Sequence, residues 1–141
     1  MNAAAAPPVF DRRSFPPTAQ IASWCAADGW ALRWIRWGAP DAEPRGSLLF
    51  VGGRGDHAEK YLEAFEDWRR AGWHVETFDW RGQGGSGRLS ADPHVGHATD
   101  FGPWVDDIAG FVADWRARTP GPHMLVAHSM GGHLVLRALG E

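Results

Sequence analysis

At 141 residues the chain has room for one domain with a sizeable core, and no internal repeat argues for two. Nine tryptophans and seven phenylalanines supply enough large apolar surface to exclude disorder over the whole length. A net charge of -3, with Arg12-Arg13 and Arg69-Arg70 as mere pairs, gives no electrostatic footing for a nucleic-acid partner.

Residues 1–17 are rich in alanine and proline, end in Pro16-Pro17, and form a loosely held lead segment ahead of a domain over residues 18–141. The lead has no basic start and its apolar stretch is broken by prolines, so it makes a poor signal peptide. No run approaches the roughly 20 apolar residues of a transmembrane segment. A soluble, cytoplasmic protein is expected, and the sequence is silent on its oligomeric state.

Residues 21–37 carry two short apolar segments around Asp28-Gly29, the dipeptide of a tight hairpin turn. In the second segment Leu32, Trp34 and Arg36 alternate with Arg33, Ile35 and Trp37. Cys25, the single cysteine, excludes an internal disulfide and is expected as a small core residue. Ser47-Leu48-Leu49-Phe50-Val51 is an unbroken run suited to a central strand covered on both faces. It leads into Gly52-Gly53-Arg54-Gly55 and then a helix, with Asp56 as the cap, Glu59 as its reciprocal partner, and Tyr61, Leu62, Phe65 and Trp68 at helical spacing until Gly72.

Residues 73–78 form another strand, which ends at Asp79-Trp80-Arg81-Gly82-Gln83-Gly84-Gly85-Ser86-Gly87. A second helix starts around Gly102-Pro103, with Asp106 and Asp107 in its first turns and Trp104, Ile108, Phe111, Val112 and Trp115 on one face, and ends near Thr119-Pro120-Gly121. The apolar run Met124-Leu125-Val126-Ala127 then stops at His128-Ser129 and turns into a third helical pattern carrying Leu134, Leu136 and Ala138. A hairpin followed by alternating strands and helices predicts an α/β fold whose later strands run parallel. Ligands in such sheets bind beyond the carboxyl ends of the strands, where three loops gather: residues 52–55, residues 79–87 and the turn at Ser129.

A serine held where a strand turns sharply into a helix stands clear of the sheet, which makes Ser129 a candidate nucleophile. The turn forces Ala127 and Gly131 together, in a G-x-S-x-G pattern whose first glycine is alanine. The competing reading is a serine N-cap on an ordinary helix. The Arg54 and Met130 amides are the candidate oxyanion donors. The glycine loop before the first helix has no lysine and no serine or threonine in register for a phosphate site.

Gly82 to Gly87 satisfies G-x-G-x-x-G but follows a late strand and opens no helix, so its glycines are turn residues and no nucleotide cofactor is expected. Asp79 and Arg81 buttress this turn through backbone hydrogen bonds or an ion pair. His94 and His97 lack the glutamate of a metalloprotease pair, and no metal is expected. His128, adjacent to Ser129, is poorly placed as its base. His57 either lines the pocket or pairs locally with Asp56 or Glu59.

Three blocks resemble the α/β-hydrolase superfamily, and more closely its lysophospholipase and monoacylglycerol-lipase-like, serine aminopeptidase-type group. Residues 51–61 are similar to an H-G-x-G-E-H-x-x-R-Y block, with Gly52 where histidine is usual and Asp56 where glutamate is usual. Residues 79–87 match D-x-R-G-x-G-x-S-x, and residues 128–132 match H-S-M-G-G.

The resemblance implies Ser129 as nucleophile, the Arg54 and Met130 amides as oxyanion hole, and Gly52, Gly53, Asp79, Arg81 and Gly131 as supports. It implies a small lipid or acyl-ester substrate, lysophospholipid or monoacylglycerol, reached by transient contact with a membrane surface, and no cofactor. A peptidase or other acyl-transfer role belongs to the same superfamily. In that pattern the acid and histidine of the triad come later, so residues 18–141 correspond to an incomplete domain ending just after the elbow. Such a chain is expected to be a weak hydrolase alone, or else inert or binding a partner through the uncovered edge of its last strand.

Overall fold

The computed structural model describes residues 9–141; residues 1–8 of the lead segment lie outside the described residues. Five strands, β1 (Gln20–Cys25), β2 (Ala31–Arg36), β3 (Gly46–Val51), β4 (Trp73–Phe78) and β5 (His123–Ala127), form one mixed sheet in the order β1-β2-β4-β3-β5. β1 and β2 pair antiparallel, β2 runs antiparallel to β4, and β3 lies parallel to both β4 and β5. The helices are α1 (Leu62–Arg70), α2 (Gly102–Arg118) and α3 (Met130–Gly140).

Every residue of β3 is buried, because its alternating side chains enter two cores. Leu48 and Phe50 join Ile35, Trp37 and Val75 under α1, which contributes Leu62 and Phe65. Leu49 and Val51 join Leu32, Phe78 and Trp80 under α2 and α3, which contribute Ile108, Phe111, Trp115 and Leu134. Phe111 is fully buried, with its ring 4.7 Å from that of Phe78 and edge-on to Trp24 and Trp34. On the other face Phe10 and Phe15 lie against Trp37, so part of the lead segment packs on the domain.

The hairpin carries Asp28-Gly29 in its turn, but as a three-residue loop. The Ala26 amide donates to Trp30 O, the Gly29 amide donates to Ala26 O, and only Gly29 takes a positive φ, +90°. Cys25 departs from expectation: it ends the edge strand β1 and is exposed, since the side facing the core there belongs to Trp24.

The start of the first helix also differs from its sequence pattern. It opens as a 3-10 turn over Ala58–Tyr61, and the Asp56 carboxylate faces back to accept the Gly53 amide (2.8 Å). The cap comes from another loop, where Asp79 Oδ1 accepts the Ala58 amide at 2.9 Å. Glu59 makes a two-point ion pair with Arg33 of β2 (2.6 and 2.7 Å). A largely buried guanidinium loses more without a carboxylate than the Asp56 amide loses without Glu59, because that amide already donates to Gly53 O, and that preference decides the geometry. Asp106 and Asp107 fall beyond the first turn of α2. Asp107 is buried and grips Arg81 through both oxygens at 2.7 Å.

Among the described residues β5 pairs only with β3, leaving one side of its backbone open, and Met124, Leu136 and Leu139 are exposed. No helix of the described residues is long and apolar enough to cross a membrane.

Phe111→Ala is expected to cost about 3–5 kcal/mol, the range for an aromatic side chain removed from a closed core. The measurement is the urea midpoint, and a loss below about 1 kcal/mol would show a core that collapses around the gap. The Arg33 hydrogen bonds hold the Glu59 carboxyl down to about 2, from its ordinary 4.5. A lowered folded-state pKa gives stability that is present above the unfolded value and is lost as pH falls through the folded one. The stability difference between wild type and Glu59→Gln should therefore shrink between pH 4.5 and pH 2. A difference that stays constant across that window contradicts the ion pair.

Candidate active site

Ser129 is the one non-glycine residue with positive φ among the described residues, at φ 54° and ψ -121°. The cause is a reversal compressed into a single residue. The His128 amide still donates to Val51 O as a continuation of the β5 ladder, while the Gly131 amide already closes onto His128 O and the Gly132 amide onto Ser129 O. A non-glycine side chain in such a conformation costs on the order of 1–3 kcal/mol, and it persists because strand and helix are both fixed. Ser129 occupies the N-cap position of α3, yet its hydroxyl makes no capping hydrogen bond. Its side chain is exposed, and the plain N-cap reading does not describe it.

The close approach at Gly131 has a different origin from the one its pattern suggests. A Cβ there would overlap the Gly52 carbonyl oxygen and lie 2.9 Å from Val51 O, so the end of β3 excludes a side chain. Ala127 comes nearest to Gly132 instead. A Cβ on Gly53 would meet Ser129 Cβ and Asp56 Oδ2, each at 3.2 Å, which places the loop of residues 52–55 directly against the serine.

That loop is held from three sides. Trp80 Nε1 donates to Gly52 O at 2.8 Å. The Gln83 amide nitrogen donates to Gly53 O (3.0 Å) and Asp56 O (3.2 Å), and its oxygen accepts the Gly55 amide (3.1 Å). Asp56 accepts from Lys60 and from the Tyr61 hydroxyl, both at 2.5 Å. Burial would raise the Asp56 carboxyl, but these bonds and the Gly53 amide outweigh it and hold the group well below the usual carboxylate range. Burial, followed by the bond to Asp56, pushes the Tyr61 hydroxyl up.

The loop of residues 82–87 closes on itself, with the Gln83 amide on Trp80 O, the Ser86 amide on Gln83 O and the Gly82 amide on Ser86 O, and no helix follows. Asp79 buttresses it by accepting the Gly85 amide at 2.8 Å. The ion-pair partner of Asp79 is Arg33, with Nε and Nη2 at 2.7 and 2.6 Å. Arg81 reaches away to Asp107 and to Asp28 of the hairpin (2.7 and 3.0 Å), tying this loop to α2 and to the β1–β2 turn.

Arg54, Ser129 and Met130 line one open cleft of about 740 Å³ together with Phe101, Trp104, His133 and Arg137. Among the described residues neither the Arg54 nor the Met130 amide has an acceptor within the protein. His97 and Asp100 complete the rim. His128 turns aside, with Nδ1 3.5 Å from Asp56 Oδ2 and 3.4 Å from the Tyr61 hydroxyl. His57 pairs with Glu59 at 3.1 Å. Among the described residues no group of three or more His, Cys, Asp or Glu is arranged to hold a metal ion.

Gln83, His133 and Arg137 are the residues that sequence reasoning missed. Gln83 sits inside a motif read only for its glycines. His133 and Arg137 follow Ser129 at i+4 and i+8, a helical spacing that carries a signal once the helix start is assigned to Met130.

A family model described as Serine aminopeptidase, S33, matches residues 42–141. The chain is 38% identical over 115 residues to lysophospholipase L2 of Escherichia coli (strain K12), covering 79% of this chain and 32% of that protein. It is 32% identical over 97 residues to the monoacylglycerol lipase of Mycolicibacterium smegmatis, covering 68% and 33%. The chain thus spans about a third of the length of these relatives. Among solved structures, a soluble variant of monoglyceride lipase from Saccharomyces cerevisiae superposes with TM-score 0.65 at 23% identity, over 93% of this chain and 40% of that one. A thermostable carboxyl esterase from Bacillus coagulans gives 0.67 at 21% identity, over 87% and 40%. The matched family model and the shared α/β-hydrolase fold lead to one assignment: the chain belongs to the serine aminopeptidase, S33, family.

Proposed function

We propose that this chain carries the nucleophile and oxyanion hole of a serine hydrolase acting on carboxylic esters of the lysophospholipid or monoacylglycerol type. The observation that carries the reading is Ser129, strained at φ 54° with an uncapped hydroxyl, in a cleft that Arg54 and Met130 also line. Ser129 Oγ attacks the ester carbonyl carbon, and the carbonyl oxygen takes the negative charge between the two amides. Collapse breaks the bond to the alcohol oxygen and leaves an acyl-serine, which water then hydrolyses.

Attack also requires that the serine proton pass to a base. His128 is the histidine next to the serine in sequence, and its ring is engaged with Asp56 and Tyr61. No side chain among the described residues is hydrogen-bonded to Ser129 Oγ, so the hydroxyl here is unactivated and the 141-residue chain alone turns over slowly. The same constellation acts on amides by the same steps. The names of the lysophospholipase and lipase relatives favour esters.

Incubation with a fluorophosphonate should modify the chain at Ser129, as seen by peptide mass, and Ser129→Ala should remain unmodified. Modification at another serine would overturn the assignment. Hydrolysis of p-nitrophenyl butyrate by the 141-residue chain should stay near the uncatalysed rate, and fast turnover abolished by Ser129→Ala would show that a base is in reach. Gly131→Ala drives a methyl group into the Gly52 carbonyl and shifts α3 against the end of β3. Its fluorophosphonate labelling rate should fall at least about tenfold with helix content retained, since small misplacements of a nucleophile carry large rate penalties.

A further inference from the structure

The cleft beside Ser129 has two unlike sides. Phe101, Trp104 and Met130 give it an apolar wall, and Phe101 is 40% exposed. Arg54 and Arg137 bring positive charge, and Asp100 is the one carboxylate of the lining, already accepting the Gly102 amide at 2.6 Å. Arg54 has no ion pair among the described residues. Arg137 has one, a long contact of 3.5 Å with Glu141 in which both side chains are well exposed. Such a pair is worth little and yields readily to a stronger anion.

The spacing along α3 sets a distance. Arg137 lies eight residues beyond Ser129, about 12 Å along the axis at 1.5 Å per residue. A helical side chain leans over the turn before its own Cα, which brings the guanidinium back toward the serine by about 5 Å along the axis. In a glycerol ester bearing phosphate on the far carbon, six bonds separate the ester carbonyl carbon from phosphorus, about 7 Å when extended, and a paired guanidinium carbon stands about 4 Å beyond it, a span that the long Arg137 side chain can meet.

On the reading of Ser129 as the acylated residue, we infer that the cleft selects acyl esters with an anionic phosphate headgroup, lysophospholipids over neutral monoacylglycerols, and that the Arg54 and Arg137 side chains bind that phosphate. The acyl chain lies along Phe101, Trp104 and Met130, the ester sits at Ser129, and the phosphate bridges the two guanidiniums. Arginine suits this task because its planar fork matches two phosphate oxygens at once.

The test uses ligands that cannot be hydrolysed: an octyl ether lysophospholipid, the matching octylglycerol ether, and glycerol 3-phosphate, titrated calorimetrically below their micellar concentrations. The ether lysophospholipid should bind at least about tenfold more tightly than octylglycerol, with a preference that weakens as salt rises. Arg54→Gln and Arg137→Gln should each reduce the preference by about three- to tenfold, and Arg137→Lys, which keeps the charge and loses the fork, should fall between Arg137→Gln and the wild type. Circular dichroism of each variant separates this loss from unfolding.

Equal binding of octylglycerol and the ether lysophospholipid would overturn the headgroup inference and leave the ester reading standing. Glycerol 3-phosphate binding as tightly as the ether lysophospholipid would mark a free-phosphate site and also overturn the inference. If both ethers bind as before after Ser129 is blocked with fluorophosphonate, the cleft is not the acylation site and the underlying reading fails with the inference.

Discussion

The buried carboxylate of Asp79 is the tie on which the sheet's carboxyl edge depends. It is 3% exposed and accepts from Arg33 of β2, from the Ala58 amide at the start of the first helix and from the Gly85 amide of its own loop. A carboxylate removed from water costs several kcal/mol unless such donors replace its hydration. Each donor comes from a different segment, so the carboxylate is satisfied in one arrangement of those segments. With the loop of residues 82–87 fixed in this way, Gln83 is positioned to clamp the loop of residues 52–55, and that loop in turn lies against Ser129.

Strain at the elbow is sustained by this rigidity. Ser129 is held in a conformation that an unconstrained serine leaves, between a strand paired to β3 and a helix whose second residue, Gly131, touches the carbonyls ending β3. β3 therefore sets both partners of the site: its last residues position the serine turn, and its continuation is the loop carrying Arg54. Their relative placement follows from backbone contacts, which resist displacement better than side-chain contacts between flexible groups.

Much of this was legible in the sequence because the signals are local. The unbroken run of residues 47–51 announces a strand covered twice, the apolar face of residues 102–118 announces a helix, and Ala127-His128-Ser129-Met130-Gly131 announces a sharp strand-to-helix turn. What was hidden depends on partners distant in the chain. Asp56 and Glu59 satisfy a local capping rule, yet Arg33, 26 residues before Glu59, claims the glutamate, and Asp79 takes over the cap. Gly131 is required by residues 51 and 52 across the sheet, a contact that no spacing around the serine encodes. Cys25 looks like a core residue by type but stands on the edge strand, where burial depends on which strand lies outermost.

One helix, α3, turns different faces to the core and to the cleft. On α3, Leu134 and Val135 enter the core, while Ser129, His133 and Arg137 recur every four residues along the side that faces the cleft. The apolar wall across from them comes from the start of α2, where Phe101 is exposed and Trp104 begins the buried face that Ile108, Phe111 and Trp115 continue. Trp104 belongs to both, since its ring packs in the core and its Nε1 donates to Arg81 O at 3.0 Å. That bond joins the apolar wall to the loop held by Asp79. The cleft's apolar wall is thus anchored to the same carboxylate that organises the surroundings of Ser129, so the cleft's shape and the position of that serine cannot vary independently.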